Sequence, residues 1–172
     1  MDVFEAIKVR RSIRSYLDRP VESEKISKLL EAARLAPSAK NRQEWRFIVV
    51  TKDEIRERLV EACKGQKFVG EAPVIIVGIA DPKVSRWYQV DMGIAMEHIV
   101  LEAVELGLGT CWIGAFYPDK VREILRIPED KEVVALLTVG YSKHEDGVRT
   151  QRKSIGEIVC YEEYCFNRGG IG

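Results

Sequence analysis

Three arginines and a serine lie within five residues near the start of the chain, in the run Arg10-Arg11-Ser12-Ile13-Arg14. Planar guanidinium groups bind phosphate oxygens in pairs, and a serine hydroxyl adds a further donor. This run, called the arginine turn below, therefore favours the binding of a phosphate or a similar anion. Because charged residues usually lie in solvent, a solvated surface turn is the alternative when the run is considered alone.

Two further segments have the composition to approach a flat ligand. Residues 36–45 combine small residues with amides, and an amide such as Asn41 offers both the donor and the acceptor that the imide edge of a heterocycle requires. Residues 107–116 are rich in glycine, and Gly114 would let the backbone come close to a ligand. The alternative for the first segment is an ordinary loop, in which Ser38 and Asn41 bond to the backbone of a turn.

The sequence lacks the motifs of several common classes of functional site. The pair Gly107 and Gly109 suggests a dinucleotide loop, but Trp112 stands where a third glycine is required, and the segment follows a helix instead of preceding one. Neither a P-loop nor a nucleophile elbow is present. The four cysteines form no Cys-x-x-Cys pair and both histidines lie far from them, so we expect no metal site. Asp91 and Glu97 are expected to be solvated carboxylates rather than acid–base groups.

The composition favours a single domain that acts on a small molecule. The chain has 172 residues with 27 Lys and Arg against 27 Asp and Glu, so no general basic field would draw it to nucleic acid or to a membrane surface. We expect a cytoplasmic protein, since neither a membrane span nor a secretory signal is recognisable. One domain is expected over residues 1–165 and a flexible tail over residues 166–172. In a reducing cytosol, Cys160 and Cys165 are expected to be free thiols rather than a local disulfide.

Hydrophobic periodicity predicts helices and strands in mixed order. Asp2 and Glu5 form a capping-box pattern for a short helix that ends before Arg10, and Ser23 is expected to cap a second helix that ends before Pro37. Further elements are predicted as helices over residues 53–63, 90–106 and 119–125, as strands over residues 46–51, 73–80 and 132–141, and as a short strand or loop over residues 111–116. The first of these strands is apolar on both faces, which predicts a central place in the sheet.

The order of these elements does not follow the strict alternation of a doubly wound parallel sheet. We therefore predict an α+β fold, in which a central, mostly antiparallel or mixed sheet lies between helices. The helix over residues 90–106 is apolar on most sides, which places it in a core or an interface.

Taken in order, three segments resemble the nitroreductase family. They are Arg10-Arg11-Ser12-Ile13-Arg14-Ser15-Tyr16, residues 36–47 (sequence APSAKNRQEWRF) and residues 107–114 (sequence GLGTCWIG). Each segment alone is a weak signal, but their order and spacing make the likeness specific, and it extends from about Ile7 to Ile158. Ala72-Pro73 and Gly140-Tyr141 also look like that family.

The resemblance implies an intertwined homodimer with two FMN sites at the subunit interface. Arg14 would lie near N1 and O2 of the flavin, and Gln66 would contact the pyrimidine edge. The phosphate and ribityl chain would be held by Arg10, Arg11 and Ser12, and Arg152 and Lys153 would complete the phosphate site. The isoalloxazine would be lined by Pro37, Ser38, Ala39 and Asn41 of the partner subunit and by the backbone of Ile113, Gly114 and Ala115.

The activity that the resemblance implies is FMN-dependent oxidation of NADH or NADPH. Hydride would pass to flavin N5, where the backbone of Gly114 lies close, and the electrons would then pass to a nitroaromatic, quinone or similar acceptor in a ping-pong cycle. No catalytic side chain is required, since Arg14 would only stabilise charge on the reduced ring. The alternatives are a specialised relative, namely a dehalogenase, a dehydrogenase or a flavin-fragmenting enzyme, and a flavin-binding module without turnover.

Overall fold

Four antiparallel strands form the centre of the computed structural model, which describes residues 1–144 and 151–166. The strands are β1 (Arg46–Val50), β2 (Val74–Ala80), β3 (Gly109–Ile113) and β4 (Glu132–Gly140), and they lie in the order β1-β2-β4-β3. The helices around them are α1 (Val3–Val9), α2 (Ser23–Arg34), α3 (Asp53–Ala62), α4 (Phe68–Glu71), α5 (Tyr88–Glu105) and α6 (Pro118–Leu125). The predicted α+β class, with a sheet between helices, is confirmed.

The two faces of the sheet carry separate apolar cores. All seven residues of β2 are buried, and they alternate between the two sides. Ile76 packs in the core that α2 and α5 cover, whereas Val77 packs in the core with residues of α3 and α6. Because both faces of β2 are covered, its continuous apolar sequence needs no polar alternation.

The position of β1 in the sheet differs from the prediction. Among the described strands, β1 pairs with β2 alone, from Arg46 opposite Ile79 to Val50 opposite Ile75, and it therefore lies at an edge. Its apolar sequence arises because Phe47 packs against the core under α2 and α5, while Ile48 packs against the opposite core. Apolar residues on both faces of a strand thus indicate that helices cover those faces. They do not indicate whether the strand has one neighbouring strand in the sheet or two.

The long helix α5 crosses β2 at close range. A Cβ atom on Gly78 would lie 2.6 Å from Sδ of Met92 and 2.9 Å from Sδ of Met96, so the helix can approach only because this residue is glycine. The helix ends where Gly107 takes a φ of 70°, as its sequence predicts. Seven of its residues are buried, which confirms its place in a core.

The helix ends agree with the prediction at α1 and differ at α2. The side chain of Asp2 accepts a hydrogen bond from the backbone N of Glu5 (2.8 Å), as the capping pattern predicts. Ser23, in contrast, is the first residue of α2 and makes no capping bond, because Glu22 occupies the N-cap position. The helix α4 is not predicted, since four residues are too few to show a helical period.

Residues 151–166 are mostly exposed. Ile155 is 70% exposed and Tyr161 is 79% exposed, while Cys160 and Cys165 form a disulfide with their Cα atoms 5.6 Å apart. The expectation of two free thiols is therefore wrong, because a turn between them brings the two cysteines together. Of the predicted tail over residues 166–172, all but the first residue lies outside the described residues. Within residues 1–144 and 151–166, no helix is long and apolar enough to cross a bilayer.

Candidate functional site

The arginine turn lies against the outer edge of β3. Ser12 forms an isolated parallel bridge with Thr110, and the backbone N of Ile13 donates to the carbonyl oxygen of Thr110 at 2.8 Å. A Cβ atom on Gly109 would lie 2.5 Å from Cγ1 of Ile13, so a glycine is required where the turn meets the strand. The sheet thus fixes the backbone between the arginines.

Tyr16 connects the arginine turn to β4 by hydrogen bonds. Its side chain is 1% exposed, and its hydroxyl donates to the carbonyl oxygen of Ile13 (2.8 Å) and shares a hydrogen bond with the hydroxyl of Thr138 (2.7 Å). Thr138 also lies 3.3 Å from the carbonyl oxygen of Cys111 in β3. Burial raises the pKa of Tyr16 well above its ordinary value, so the phenol is neutral and can donate at physiological pH. Sequence reasoning missed this anchor, although Tyr16 closes the first motif.

The arginine turn carries an excess of positive charge. Arg11 donates from Nη1 to the carbonyl oxygens of Lys8 and Arg10, both at 2.7 Å, which fixes its guanidinium over the backbone. In the described part of the chain, no carboxylate lies within ion-pair distance of Arg11 or Arg14. Burial raises the pKa of Cys111, and the nearby Arg14 guanidinium and Ser12 hydroxyl oppose that rise, so both groups lie close to Cys111 in the middle of β3.

Glu97 connects the arginine turn to the residues beyond the middle of β3. Its Oε1 lies 3.5 Å from Nε of Arg10, and its Oε2 accepts from Nε1 of Trp112 at 3.3 Å. The side chain of Glu97 is still 41% exposed, so this carboxylate is partly solvated, and from its position on α5 it also contacts residues of two of the three motifs. No sequence signal distinguishes this glutamate from the other acidic residues of the helix.

The backbone directly after β3 is open to solvent. Gly114 and Ala115 are exposed, whereas the side chain of Ile113 is 1% exposed, so only the backbone of Ile113 could meet a ligand. A Cβ atom on Gly114 would meet nothing within 4 Å. Gln66 donates from Nε2 to the carbonyl oxygen of Ala115 (3.1 Å), which places that amide beside this segment, and its contact with a flavin stays a prediction.

The segment between α2 and β1 forms a tight loop, called the 37–43 loop below. The hydroxyl of Ser38 accepts from the backbone N of Gln43 (3.0 Å), and the side chain of Asp91 accepts from the backbone N of Ala39 (3.0 Å). Pro37 and Asn41 are exposed. Within residues 1–144, no hydrogen bond or ion pair joins this loop to the arginine turn or to Gly114.

One chain therefore gathers some of the predicted flavin residues and separates others. The arginine turn, Gln66 and residues 113–115 lie along β3 or at its end, while the 37–43 loop leads into β1, at the opposite edge of the sheet. Arg152 and Lys153 are both exposed at the start of the described segment 151–166, and their place beside the phosphate stays a prediction.

The residues along β3 fit FMN by the chemistry of their donors. Guanidinium and hydroxyl groups suit a phosphate at one end of the strand. The uncovered backbone of Gly114 suits a flat ring at the other end, where no side chain intervenes. Gly114 lies four residues after Thr110, which corresponds to about 13 Å at the rise of a β-strand. An elongated ligand with one anionic end and one planar end matches this arrangement.

Comparison with known proteins identifies a family to which the chain is similar. The model of the nitroreductase family matches residues 7–69 and 62–141. A protein of Archaeoglobus fulgidus, provisionally named as an NADH dehydrogenase/NAD(P)H nitroreductase, is 42% identical over 81% of this chain and 84% of its own length. An FMN reductase [NAD(P)H] of Bacillus subtilis is 30% identical over 81% of this chain and 66% of its own length.

Solved structures show the same relationship. The FMN-dependent nitroreductase of Clostridium difficile R20291 superposes with a TM-score of 0.86 at 35% identity, over 94% of this chain and 99% of that one. The chain therefore belongs to the nitroreductase family and is an oxidoreductase. The resemblance inferred from the three motifs is confirmed.

Proposed function

We propose that this protein binds FMN along β3 and works as an NAD(P)H-dependent flavin oxidoreductase. The observation that carries the proposal is the arrangement along β3, where the guanidinium groups of the arginine turn lie near the start of the strand and the uncovered backbone of Gly114 follows its end. Arg10, Arg11 and Ser12 hold the phosphate and ribityl chain in this proposal, with Arg152 and Lys153 alongside. The names of the relatives from Bacillus subtilis and Clostridium difficile, both of which include FMN, support it.

Bound FMN would supply the redox chemistry, taking hydride from NADH or NADPH at N5 and passing two electrons to a nitroaromatic, quinone or similar small acceptor in a ping-pong cycle. The protein supplies binding, orientation and charge. Arg14, which has no carboxylate partner in the described part of the chain, stabilises negative charge near N1 and O2. Gln66 faces the pyrimidine edge, and the backbone of Gly114 leaves the N5 edge uncovered.

The cofactor is tested by titrating the purified protein with FMN and following flavin fluorescence. Quenching that saturates at one FMN per chain is expected. Arg10→Gln should raise the dissociation constant for FMN by about tenfold or more, because a charge-assisted hydrogen bond contributes about 1.5–3 kcal/mol. Lys28→Gln, which removes the charge of an exposed lysine on α2, serves as the control. Absence of binding by the wild-type chain would overturn the proposal.

The activity is tested by anaerobic mixing of the FMN-loaded protein with NADH or NADPH. Rapid bleaching of the flavin absorbance, reversed by a quinone or a nitroaromatic, is the expected result. Parallel double-reciprocal plots would support the ping-pong cycle. Bound flavin that neither nucleotide reduces would instead identify a flavin-binding module without turnover.

We propose further that the site is completed in a homodimer. The outer face of α1 exposes apolar side chains, with Phe4 69% exposed and Ile7 50% exposed, and the segment 151–166 exposes Ile155 and Tyr161. A cleft of about 540 Å³ runs beside β1, whose outer edge has no strand partner within the described residues. An exposed edge of this kind is a template for an extended segment of a second chain.

The dimer is the arrangement that can bring the 37–43 loop to a flavin site, because that loop lies away from the arginine turn of its own chain. In this proposal Pro37, Ser38, Ala39 and Asn41 line the isoalloxazine of the partner's site. Light scattering coupled to size exclusion should give twice the chain mass. A monomer that binds FMN with full affinity would contradict the shared site. A cytoplasmic location stays a prediction.

A further inference from the structure

Asp91 is a buried carboxylate at the start of α5 that contacts the 37–43 loop. The residue is 4% exposed, and its Oδ1 accepts a hydrogen bond from the backbone N of Ala39 at 3.0 Å. Its Oδ2 is also buried and has no hydrogen-bond partner within the described residues. The expectation that Asp91 is solvated is wrong. Burial of a carboxylate is unfavourable unless hydrogen bonds compensate for lost water, so the bond to Ala39 is an important interaction for this side chain.

The loop that Asp91 contacts has an unfavourable backbone. Lys40, Asn41 and Gln43 take φ values of 52°, 53° and 50°, although none of them is glycine. A left-handed conformation is disfavoured for residues with a Cβ atom, and a run of such residues persists only where the surroundings hold it. Two side chains bond to the loop backbone: the hydroxyl of Ser38, within the loop, accepts from Gln43, and the carboxylate of Asp91, from outside the loop, accepts from Ala39.

The carboxylate is itself fixed in space. Met92 and Met96 on the same helix are fully buried against β2, so α5 cannot shift without disturbing the core. Because α5 is fixed by the core, the bond from Asp91 also fixes the backbone of Ala39. Without this bond, the loop would relax toward more common backbone conformations. No other side chain of α5 forms a hydrogen bond to this loop among the described residues.

We propose that Asp91 is a positioning residue, which holds the 37–43 loop in the shape that lines the flavin. Its hold on the loop stands on the contacts above. The consequence for the flavin rests on the proposed function, because it requires that Ser38, Ala39 and Asn41 face the ring. Loss of the carboxylate releases Ala39, and the loop then no longer presents these residues in one arrangement.

Limited digestion with trypsin tests the hold on the loop, since Lys40 and Arg42 are both exposed. Asp91→Ala should raise the initial rate of cleavage after these residues about tenfold, because the free energy of opening the loop falls by roughly the contribution of one buried hydrogen bond. Asp91→Asn keeps an acceptor oxygen for Ala39 and should stay within about twofold of wild type. Asp119→Ala removes an exposed first-turn aspartate from α6 and is the matched control. Equal rates in wild type and Asp91→Ala would overturn the proposal.

Titration with FMN tests the consequence for the site. Asp91→Ala should raise the dissociation constant for FMN about tenfold, whereas that of Asp91→Asn should stay within about twofold of the wild-type value. Should Asp91→Ala fail to fold, Asp91→Glu keeps the charge and moves the carboxylate off Ala39, and it should show the same two effects. Faster cleavage with unchanged FMN affinity overturns the positioning role. A wild-type chain that binds no FMN overturns the proposed function instead, while the digestion still measures the hold on the loop.

Discussion

The hydroxyl of Tyr16 offers the sharpest test of how the arginine turn is held. Tyr16→Phe removes one oxygen atom and preserves the ring, so it deletes the contacts of 2.8 Å to the carbonyl oxygen of Ile13 and of 2.7 Å to the hydroxyl of Thr138. Thr138 retains its contact with the carbonyl oxygen of Cys111, but the half-buried carbonyl of Ile13 loses a donor. With about 1 kcal/mol for each of the two hydrogen bonds, we expect the free energy of unfolding to fall by about 2 kcal/mol.

The assay is chemical and thermal unfolding of the apo protein, followed by circular dichroism. A loss of about 2 kcal/mol corresponds to a decrease of about 4–8 °C in the melting temperature of a domain of this size. Tyr161→Phe is the matched control, since Tyr161 is 79% exposed, and it should change stability by less than about 0.5 kcal/mol. Thr138→Val completes a double-mutant cycle and should show coupling of about 1 kcal/mol with Tyr16→Phe. The reasoning is refuted if Tyr16→Phe is as stable as Tyr161→Phe.

Three further predictions concern the site and its supports. Gly114→Val should leave the melting temperature nearly unchanged, because a Cβ atom there meets nothing within 4 Å, yet it should weaken FMN binding in a fluorescence titration. Gly93→Ala, equally free of neighbours, is the control that should leave FMN affinity intact. Gly109→Ala should instead destabilise the fold in urea unfolding by about 1–3 kcal/mol, since its methyl group would overlap the arginine turn. Hydrogen bonding from Tyr141 lowers the pKa of Glu22 from 4.5 to about 2, so its contribution to stability is present above pH 4.5 and is lost as the pH falls toward 2. The melting temperature should therefore fall less steeply between pH 4.5 and 2 in Glu22→Gln than in wild type, and parallel slopes would contradict this account.

Much of the fold follows from local patterns in the sequence. The helix α5 and the strand β2 are long enough for their hydrophobic periods to be read directly, and the glycine at 107 marks the end of α5. The position of β1 does not follow in the same way. The apolar side chains of β1 record which helices lie above and below it, but pairing along the sheet uses backbone groups that are the same in every residue type. An edge strand covered on both faces therefore has the sequence of a central one.

The candidate site also combines residues that the sequence predicts with residues that it does not. The arginine turn is recognisable because several residues that suit phosphate lie together in the chain. Asp91 and Tyr16 each act through a contact to a residue that is distant in sequence, at Ala39 and Thr138, and such contacts leave no local pattern.

The 37–43 loop shows why composition alone misjudges these supports. Three of its residues have a left-handed backbone, a conformation for which glycine is the usual choice, yet the loop contains no glycine. Glycine would remove the strain, but it would also leave the loop free to adopt many other shapes. With side chains in place, the loop keeps one shape only while Ser38 and Asp91 hold it, so its order depends on the core beneath α5. A loop held in this way can present Asn41 to a ligand with little further loss of conformational entropy, which a glycine-rich loop of the same length could not do.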